Sequence, residues 1–252
     1  MKQLKRWLPA FALPIVLLIG WQVYSVSAQL GNLFLPTPWS VLQAIVDDRA
    51  ILWQNTLPTL IETVSGLTIS VVLGVAVGVA IFWFERVRRA IYPLLIVTQT
   101  IPLIALAPLL LLWFGFGATP KIIVVVLFCF FPITVAVSDG LTQTPKHLDD
   151  LFTSWHVTRW ERLRYLHAPA TLDAFFSGLK ISTTYAVTGA IVGEFVGAYQ
   201  GLGIFMQSAA HAHAIDQVFA AIVVVVALTL VLLLGVIGLQ RRIMPWKYNH
   251  EH

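Results

Sequence analysis

Charged residues are scarce in this chain: Asp, Glu, Lys and Arg make up 11% of its 252 residues, against roughly 25% in an ordinary soluble domain. Hydrophobic residues make up 58%, and the mean hydropathy is +0.82. A soluble chain of this length cannot cover so much apolar surface, so we expect that surface to face lipid. Because backbone in lipid must satisfy its own hydrogen bonds, the composition predicts one all-α membrane domain over residues 1–252.

Several chemical motifs are also missing. The single cysteine, Cys129, excludes an intramolecular disulfide and a multi-cysteine metal site. The sequence has no Gly-x-x-x-x-Gly-Lys-Ser/Thr phosphate loop and no Gly-x-Ser-x-Gly nucleophile motif. Histidine pairs at 211/213 and 250/252 lack further ligands. We therefore expect a non-catalytic protein without cofactor or metal, and its scattered basic residues do not indicate nucleic-acid binding.

Six segments are long and apolar enough to cross a membrane, which takes about 20 residues each. They are residues 7–28, 56–84, 90–116, 121–140, 172–196 and 218–239. Prolines in the third segment predict a kink near Thr100-Ile101-Pro102. The first segment has an alternative interpretation as a signal peptide cleaved after Val26-Ser27-Ala28, which would leave five spans.

The distribution of Lys and Arg predicts the orientation. With a cytoplasmic N-terminus, thirteen basic residues fall on the inner side and two, Arg49 and Lys121, on the outer side. This bias supports an even number of spans and places both termini in the cytoplasm. We therefore predict a multi-pass protein of the cell inner membrane, in contact with lipid.

Small and ionisable residues within the spans are candidates for packing and function. Gly66, Gly74 and Gly78 allow close helix approach, either inside the chain or at a subunit interface. Ionisable residues in spans are costly and usually functional or paired. Three carboxylates near span ends, those of Glu62, Asp139 and Asp173, are expected to reach the membrane interface. Glu194 lies deeper, and it either lines the transport path or anchors the following loop.

Two further polar residues, Gln99 and Thr100, precede Pro102 and are candidates for pore lining together with Glu194. Before the second span, Leu35-Pro36-Thr37-Pro38 predicts a turn. Ser40 is then expected to cap a short amphipathic helix. That helix either lies along the outer membrane surface or packs on the protein.

The loop between the fourth and fifth spans, residues 141–171, is the longest and is predicted to be cytoplasmic. Pro145 begins a predicted helix whose apolar residues 148, 151, 152 and 155 form one stripe. Thr158 and Glu161 have the spacing of a capping box for a second helix, which Pro169 is expected to end. The pattern indicates either a helix pair packed on the bundle or a docking element for a cytoplasmic partner.

This loop resembles the coupling segment of ABC importer membrane subunits. That family has Glu-Ala-Ala, three residues, Gly, nine residues, Ile, one residue and Leu-Pro; the spacing here is the same. The matching positions are Asp150, Leu151, Phe152, His156, Leu166, Ala168 and Pro169, of which only Pro169 is identical. The family's glycine can adopt positive φ, a region that the histidine here enters with some strain.

The resemblance extends over roughly residues 30–240 through the run Thr100–Pro108, Leu112-Trp113-Phe114-Gly115, Gly193-Glu194-Phe195 and similar stretches. The chain is similar to permeases for nitrate, sulfonates, taurine and thiamine-pyrimidine precursors. Among these, the resemblance favours the branch for thiamine-pyrimidine precursors. It implies a permease homodimer served by a separate ATP-binding subunit and a periplasmic or extracellular substrate-binding protein. The alternative is a stand-alone secondary transporter that uses intramembrane carboxylates such as Glu194; a membrane-embedded enzyme ranks third.

Overall fold

The computed structural model describes residues 2–27 and 35–248, and this part of the chain is helical without strands. The all-α prediction is confirmed. The helices are α1 (Lys2–Ser27), α2 (Pro38–Asp47), α3 (Arg49–Trp83), α4 (Glu85–Thr100), α5 (Leu103–Phe114), α6 (Ala118–Thr142), α7 (Lys146–Ser154), α8 (Arg159–Arg162), α9 (Ala168–Gly197), α10 (Leu202–His211), α11 (Ile215–Ile243) and α12 (Pro245–Tyr248). Leu163–His167 form a π-helical turn between α8 and α9.

Among the described residues, α3, α6 and α11 are each long and apolar enough to cross a membrane. Two bent helix pairs, α4 with α5 and Arg159–Gly197 with α10, are each apolar and long enough for a broken span or a re-entrant loop, and Ala12–Ser27 is a shorter apolar helix. These elements correspond to the six predicted spans. Ala28, the last residue of the first predicted span, lies outside the described residues.

The third span breaks at the predicted place, and more sharply than a kink. Helix α4 ends at Thr100, α5 begins at Leu103, and their axes differ by 99°. Ile101 between them is extended, with φ −78° and ψ 124°. The residue before a proline is disfavoured in the helical region, so Pro102 accounts for the break.

The described residues form two compact units, Met1–Pro58 with Tyr199–Val226, and Thr59–Ala198 with Ala227–His252. In the first unit, Trp21 packs on Phe219 with ring centroids 5.6 Å apart. The side chain of Gln217 donates to Asp48 at 2.9 Å, and Asn55 accepts from the Gly201 backbone at 2.9 Å. The prediction of a single domain stays a prediction.

Helix α2 in the first unit has a different N-cap from the predicted one. The side chain of Thr37 accepts from the Ser40 backbone N–H at 3.1 Å, and Pro38 occupies the first turn. The assignment of Ser40 as the cap was wrong: proline at the first helical position needs no hydrogen-bond partner, and the helix begins at Pro38, three residues earlier than predicted.

The second unit is centred on α6, which packs against α9 and, through glycines, against α3. A Cβ built on Gly66 would lie 2.5 Å from the Val125 side chain, and one on Gly78 would lie 2.8 Å from Val137. On the other side of α6, a Cβ on Gly178 would lie 2.5 Å from that of Ala136. The α3 glycines thus serve packing inside the chain.

Candidate functional site

The loop between α6 and α9 forms two helices, as predicted. Helix α7 begins after Pro145 and ends before Trp155. Thr158 caps α8: its side chain accepts from the Glu161 N–H at 3.3 Å, and the Glu161 carboxylate accepts from the Thr158 N–H at 3.0 Å. The predicted capping box is confirmed. Because the hydrogen bonds from Thr158 favour the ionised form, they lower the pKa of Glu161 below its ordinary value.

The turn between the two helices is made at His156, which has φ 57°. The family pattern has glycine here, and the left-handed backbone explains that preference, since glycine adopts positive φ at no steric cost. Histidine is among the residues that enter this region more readily than most. His156 therefore has the positive φ that the family's glycine adopts at low cost.

Asp149 connects α7 to the elements that follow it. Its Oδ1 lies 3.3 Å from Nη1 of Arg162 and 3.4 Å from Nε2 of His167. Arg162 also donates to Thr153 Oγ1 at 2.8 Å, and His167 Nδ1 lies 2.9 Å from Thr144 Oγ1. We call these five residues the Asp149 cluster. It links α7, α8, the π turn and the segment that follows α6.

Partial burial lowers the pKa of His167, while the neighbouring Asp149 carboxylate opposes that shift. The Asp149 cluster was missed by sequence reasoning, which singled out Asp150 instead. A pair thirteen residues apart on two separate helices leaves no local signal, because its formation depends on the turn geometry at His156. Asp150 itself is exposed.

The predicted coupling residues fall into two groups. Asp150, Leu151 and His156 are exposed on α7 and its turn, while Phe152 is half-buried with its ring 5.8 Å from that of Trp155. Leu166 and Pro169 lie further along the chain: Leu166 is buried in the π turn, and Pro169 is in the first turn of α9.

Pro169 does not end the second loop helix, so that expectation was wrong. Helix α8 continues through the π turn directly into α9, with the Ala168 N–H donating to the Leu163 carbonyl. A π turn widens the helix locally. The widening and the lack of a required N–H in the first turn of α9 accommodate proline without a break.

Two of the four residues in the apolar stripe of α7 are exposed within the described chain. Leu151 is 42% exposed and Trp155 is 65% exposed. Trp160 on α8 is also exposed on one side, while its ring stacks at 5.9 Å on Trp83. A rigidly held helix that presents large apolar side chains outside the bundle is the geometry of a docking surface.

The candidate pore residues lie in two environments. Gln99 and Thr100 are exposed in the last turn of α4, beside the break. Glu194 is fully buried in the second unit, where it accepts from Thr59 Oγ1 at 2.6 Å. Pore lining by these three residues stays a prediction.

Glu194 belongs to a buried charge cluster between α3, α6 and α9. The Lys121 ammonium pairs with the Glu62 carboxylate, and both side chains are less than 10% exposed. Glu194 lies within hydrogen-bonding reach of Glu62. The expectation that Glu62 reaches the membrane interface was therefore wrong, because a lysine 59 residues later in the chain pairs with it inside the protein. Asp173, in contrast, is exposed and pairs with Lys247.

Metal binding finds no arrangement to support it within residues 2–27 and 35–248, where no three His, Cys, Asp or Glu side chains converge. Of the two histidine pairs considered above, the pair His211 and His213 lies in the described part of the chain. His213 there has φ 59°. The pair at 250/252 lies outside the described residues.

Several helices long and apolar enough to cross a membrane, packed through glycines, are the features of a polytopic membrane protein. The family described as "Binding-protein-dependent transport system inner membrane component" matches residues 66–247, and the chain belongs to it. The chain is therefore a non-catalytic permease subunit of an ABC importer in the inner membrane. Its partners are an ATP-binding subunit and a substrate-binding protein. The secondary-transporter and enzyme alternatives lose their basis.

Relatives and solved structures agree with this assignment. The formylaminopyrimidine transport permease protein ThiX of Halalkalibacterium halodurans is 37% identical, over 92% of this chain and 93% of its own. The taurine transport system permease protein TauC of Escherichia coli is 30% identical, over 92% of this chain and 86% of its own. A structure of the MetNI methionine ABC transporter in inward-facing conformations has TM-score 0.68 at 18% identity, covering 78% of this chain and 97% of that one, and shares the fold.

Proposed function

We propose that this permease imports a pyrimidine precursor of thiamine, of the formylaminopyrimidine class. The proposal is supported by the 37% identity to the Halalkalibacterium permease over nearly the whole chain. The run Thr100–Pro108 and the stretch Gly189–Ala198 favour the same branch. Taurine, other sulfonates and nitrate are the alternative substrates, and the Escherichia coli taurine permease is the relative that supports them.

ATP hydrolysis is coupled to transport through α7. The observation on which this proposal depends is the exposed stripe of Leu151 and Trp155 on a helix that the Asp149 cluster fixes in place. Large apolar side chains on a rigid protrusion suit insertion into a cleft of the ATP-binding subunit. Phe152, where the family has a small residue, is turned toward Trp155 and half-buried, so it leaves room at the contact.

The loop is built to transmit a displacement to the membrane. Asp149 ties α7 to Arg162 and His167, and from Arg159 to Gly197 the chain is helical without interruption by a loop. When the ATP-binding subunits close, a force on α7 reaches α9 through these side-chain contacts and the π turn. Packed helices move as rigid bodies between discrete states, so α9 carries the motion into the transport path.

Two further features complete the proposed assembly. Two copies of the chain form the pore, with the exposed residues of α4 and α5, among them Gln99 and Thr100, toward the path. Both termini and the α7–α8 loop lie in the cytoplasm in this assembly, which the excess of basic residues on that side supports. The substrate-binding protein delivers solute to the opposite face.

Co-purification with the ATP-binding subunit tests the coupling proposal. The variant combines Asp150→Arg with Leu151→Glu, two exposed positions whose replacement leaves the bundle core intact. We expect this variant to elute from a sizing column without the ATP-binding subunit, while the unmodified chain retains it. The control is Trp39→Glu on α2, also a large exposed side chain, and it should retain the complex. A complex that survives the loop variant would overturn the docking assignment.

Substrate is tested separately, by ATPase activity of the reconstituted complex with its binding protein. We expect stimulation by formylaminopyrimidine and none by taurine or nitrate. Stimulation by taurine alone would transfer the chain to the alternative branch while leaving the coupling proposal in place.

A further inference from the structure

A cavity of about 430 Å³ lies where α3 and α6 end and the loop helices begin. Its walls include Phe82 and Trp83 from the end of α3 and Thr144 after α6. Its basic residues are Arg159, Arg162 and His167, and Asp149 is its acidic residue. The volume is within the range of small-ligand sites, roughly 300–1,000 Å³.

The charges around this cavity are unbalanced. The acidic lining residue, Asp149, already pairs with Arg162 and His167. Arg159 lines the same cavity, and within the described residues no acidic side chain pairs with it. One guanidinium therefore faces the cavity with its donors available, next to a second guanidinium that is only partly engaged. This arrangement suits a planar array of anionic oxygens, which guanidinium binds well.

An apolar groove of about 290 Å³ adjoins the cavity, and Leu141 lines both. The groove runs along the bundle between Val75 and Val79 of α3, Val137 of α6 and Phe175 of α9. Its lining is almost entirely apolar. A charged cavity and an apolar groove that share Leu141 as a wall residue fit an amphipathic molecule with an anionic head and a hydrocarbon chain.

The position of the two spaces along the spans agrees with such a ligand. The groove lies beside apolar stretches of α3, α6 and α9, whereas the cavity lies at the span ends, beside Trp83 and Trp160. Tryptophan is enriched at the level of lipid headgroups, and basic pockets between spans are known to hold anionic headgroups. Free phosphate or a nucleotide would use the cavity and leave the groove unused.

We propose that this cavity and groove bind an anionic phospholipid, with the phosphate on Arg159 and Arg162 and an acyl chain along Val75, Val79 and Phe175. Bound there, the lipid fills the junction between the coupling loop and α3. The proposal concerns lipid binding by this chain alone and does not depend on the identity of the transported solute.

The test compares lipids added to the delipidated full-length chain in detergent, with bound lipid read by native mass spectrometry and stability read by thermal unfolding. Phosphatidylglycerol should bind more tightly and raise the unfolding temperature more than phosphatidylcholine, because the choline cation of the latter is repelled by the two guanidinium groups. Arg159→Gln should weaken phosphatidylglycerol binding by about tenfold, the loss expected for one charge-assisted contact. The matched control is Arg164→Gln: Arg164 is exposed, lies over the Tyr165 ring and does not line the cavity.

A second variant separates a lipid from a free anion. Val79→Phe narrows the groove without touching the charged cavity, and it should weaken phosphatidylglycerol binding while leaving the folded chain intact. Inorganic phosphate, titrated in its place, should give no comparable stabilisation. Equal stabilisation by phosphate would assign the cavity to a free anion and overturn the lipid proposal. So would equal binding of both lipids, or equal loss in the Arg159 and Arg164 variants.

Discussion

Replacing Gly66 by alanine tests how tightly α3 packs on α6. The added methyl would lie 2.5 Å from both Cβ and Cγ1 of Val125, and 3.2 Å from the carbonyl oxygen of Ile122. Real Cβ atoms essentially never approach so closely, and Val125 is fully buried, so its side chain has no space into which to turn. The helices must separate, at the cost typical of overpacking, about 1–3 kcal/mol.

The destabilisation expected for Gly66→Ala is opposite to the change expected from helix propensity alone. Alanine favours a helix over glycine by about 1 kcal/mol, so a Gly→Ala change without a steric conflict should stabilise. Gly235 in α11 is the matched control, because nothing lies within 4 Å of a Cβ built there. Thermal unfolding in detergent should show a lower midpoint for Gly66→Ala and an equal or higher one for Gly235→Ala. At about 2–4 °C per kcal/mol for a chain of this size, the Gly66 shift is measurable. Equal behaviour of the two variants would refute the close packing of α3 on α6.

Two other predictions concern charged groups. Lys121→Met should destabilise the protein by about 3–5 kcal/mol, because it leaves the buried Glu62 carboxylate without its cation. The double variant Lys121→Met with Glu62→Gln should recover most of that stability in the same unfolding assay. If it recovers none, the pairing of the two side chains is contradicted. The α8 capping box should weaken in acid: the hydrogen bonds from Thr158 lower the folded-state pKa of Glu161 below its ordinary value, so the stabilisation is complete above the ordinary pKa and is lost as pH falls through the lowered one. The protection factors of the first α8 amides, measured by hydrogen exchange, should therefore fall over this acidic range in the native chain and stay constant in Glu161→Gln.

Features encoded by neighbouring residues were predictable from the sequence. The spans follow from apolar runs, the break at Pro102 from the backbone restriction on the preceding residue, and the α8 cap from the spacing of Thr158 and Glu161. The positive φ of His156 follows from its alignment with a glycine. Each of these depends on contacts within a few residues, where stereochemistry leaves few alternatives.

Features that depend on distant pairing were not predictable. The ion pair of Glu62 with Lys121 and the pairs of Asp149 with Arg162 and His167 require helices to meet at a given rotation. Charge signs alone do not specify that rotation. Pro169 was misassigned for a related reason: whether a proline ends a helix or begins the next one depends on the π turn before it.

The docking of α7 on the ATP-binding subunit is tested most directly by thiol protection. The sequence has one cysteine, Cys129, which is buried, so Leu151→Cys adds a single accessible thiol on the exposed stripe. A maleimide reagent should label it readily in the isolated permease and at least about tenfold more slowly in the complex, as expected for a side chain buried at an interface. Trp39→Cys on α2 should be labelled at the same rate in both. Equal labelling of Leu151→Cys with and without the ATP-binding subunit would contradict the assignment of α7 as the coupling helix.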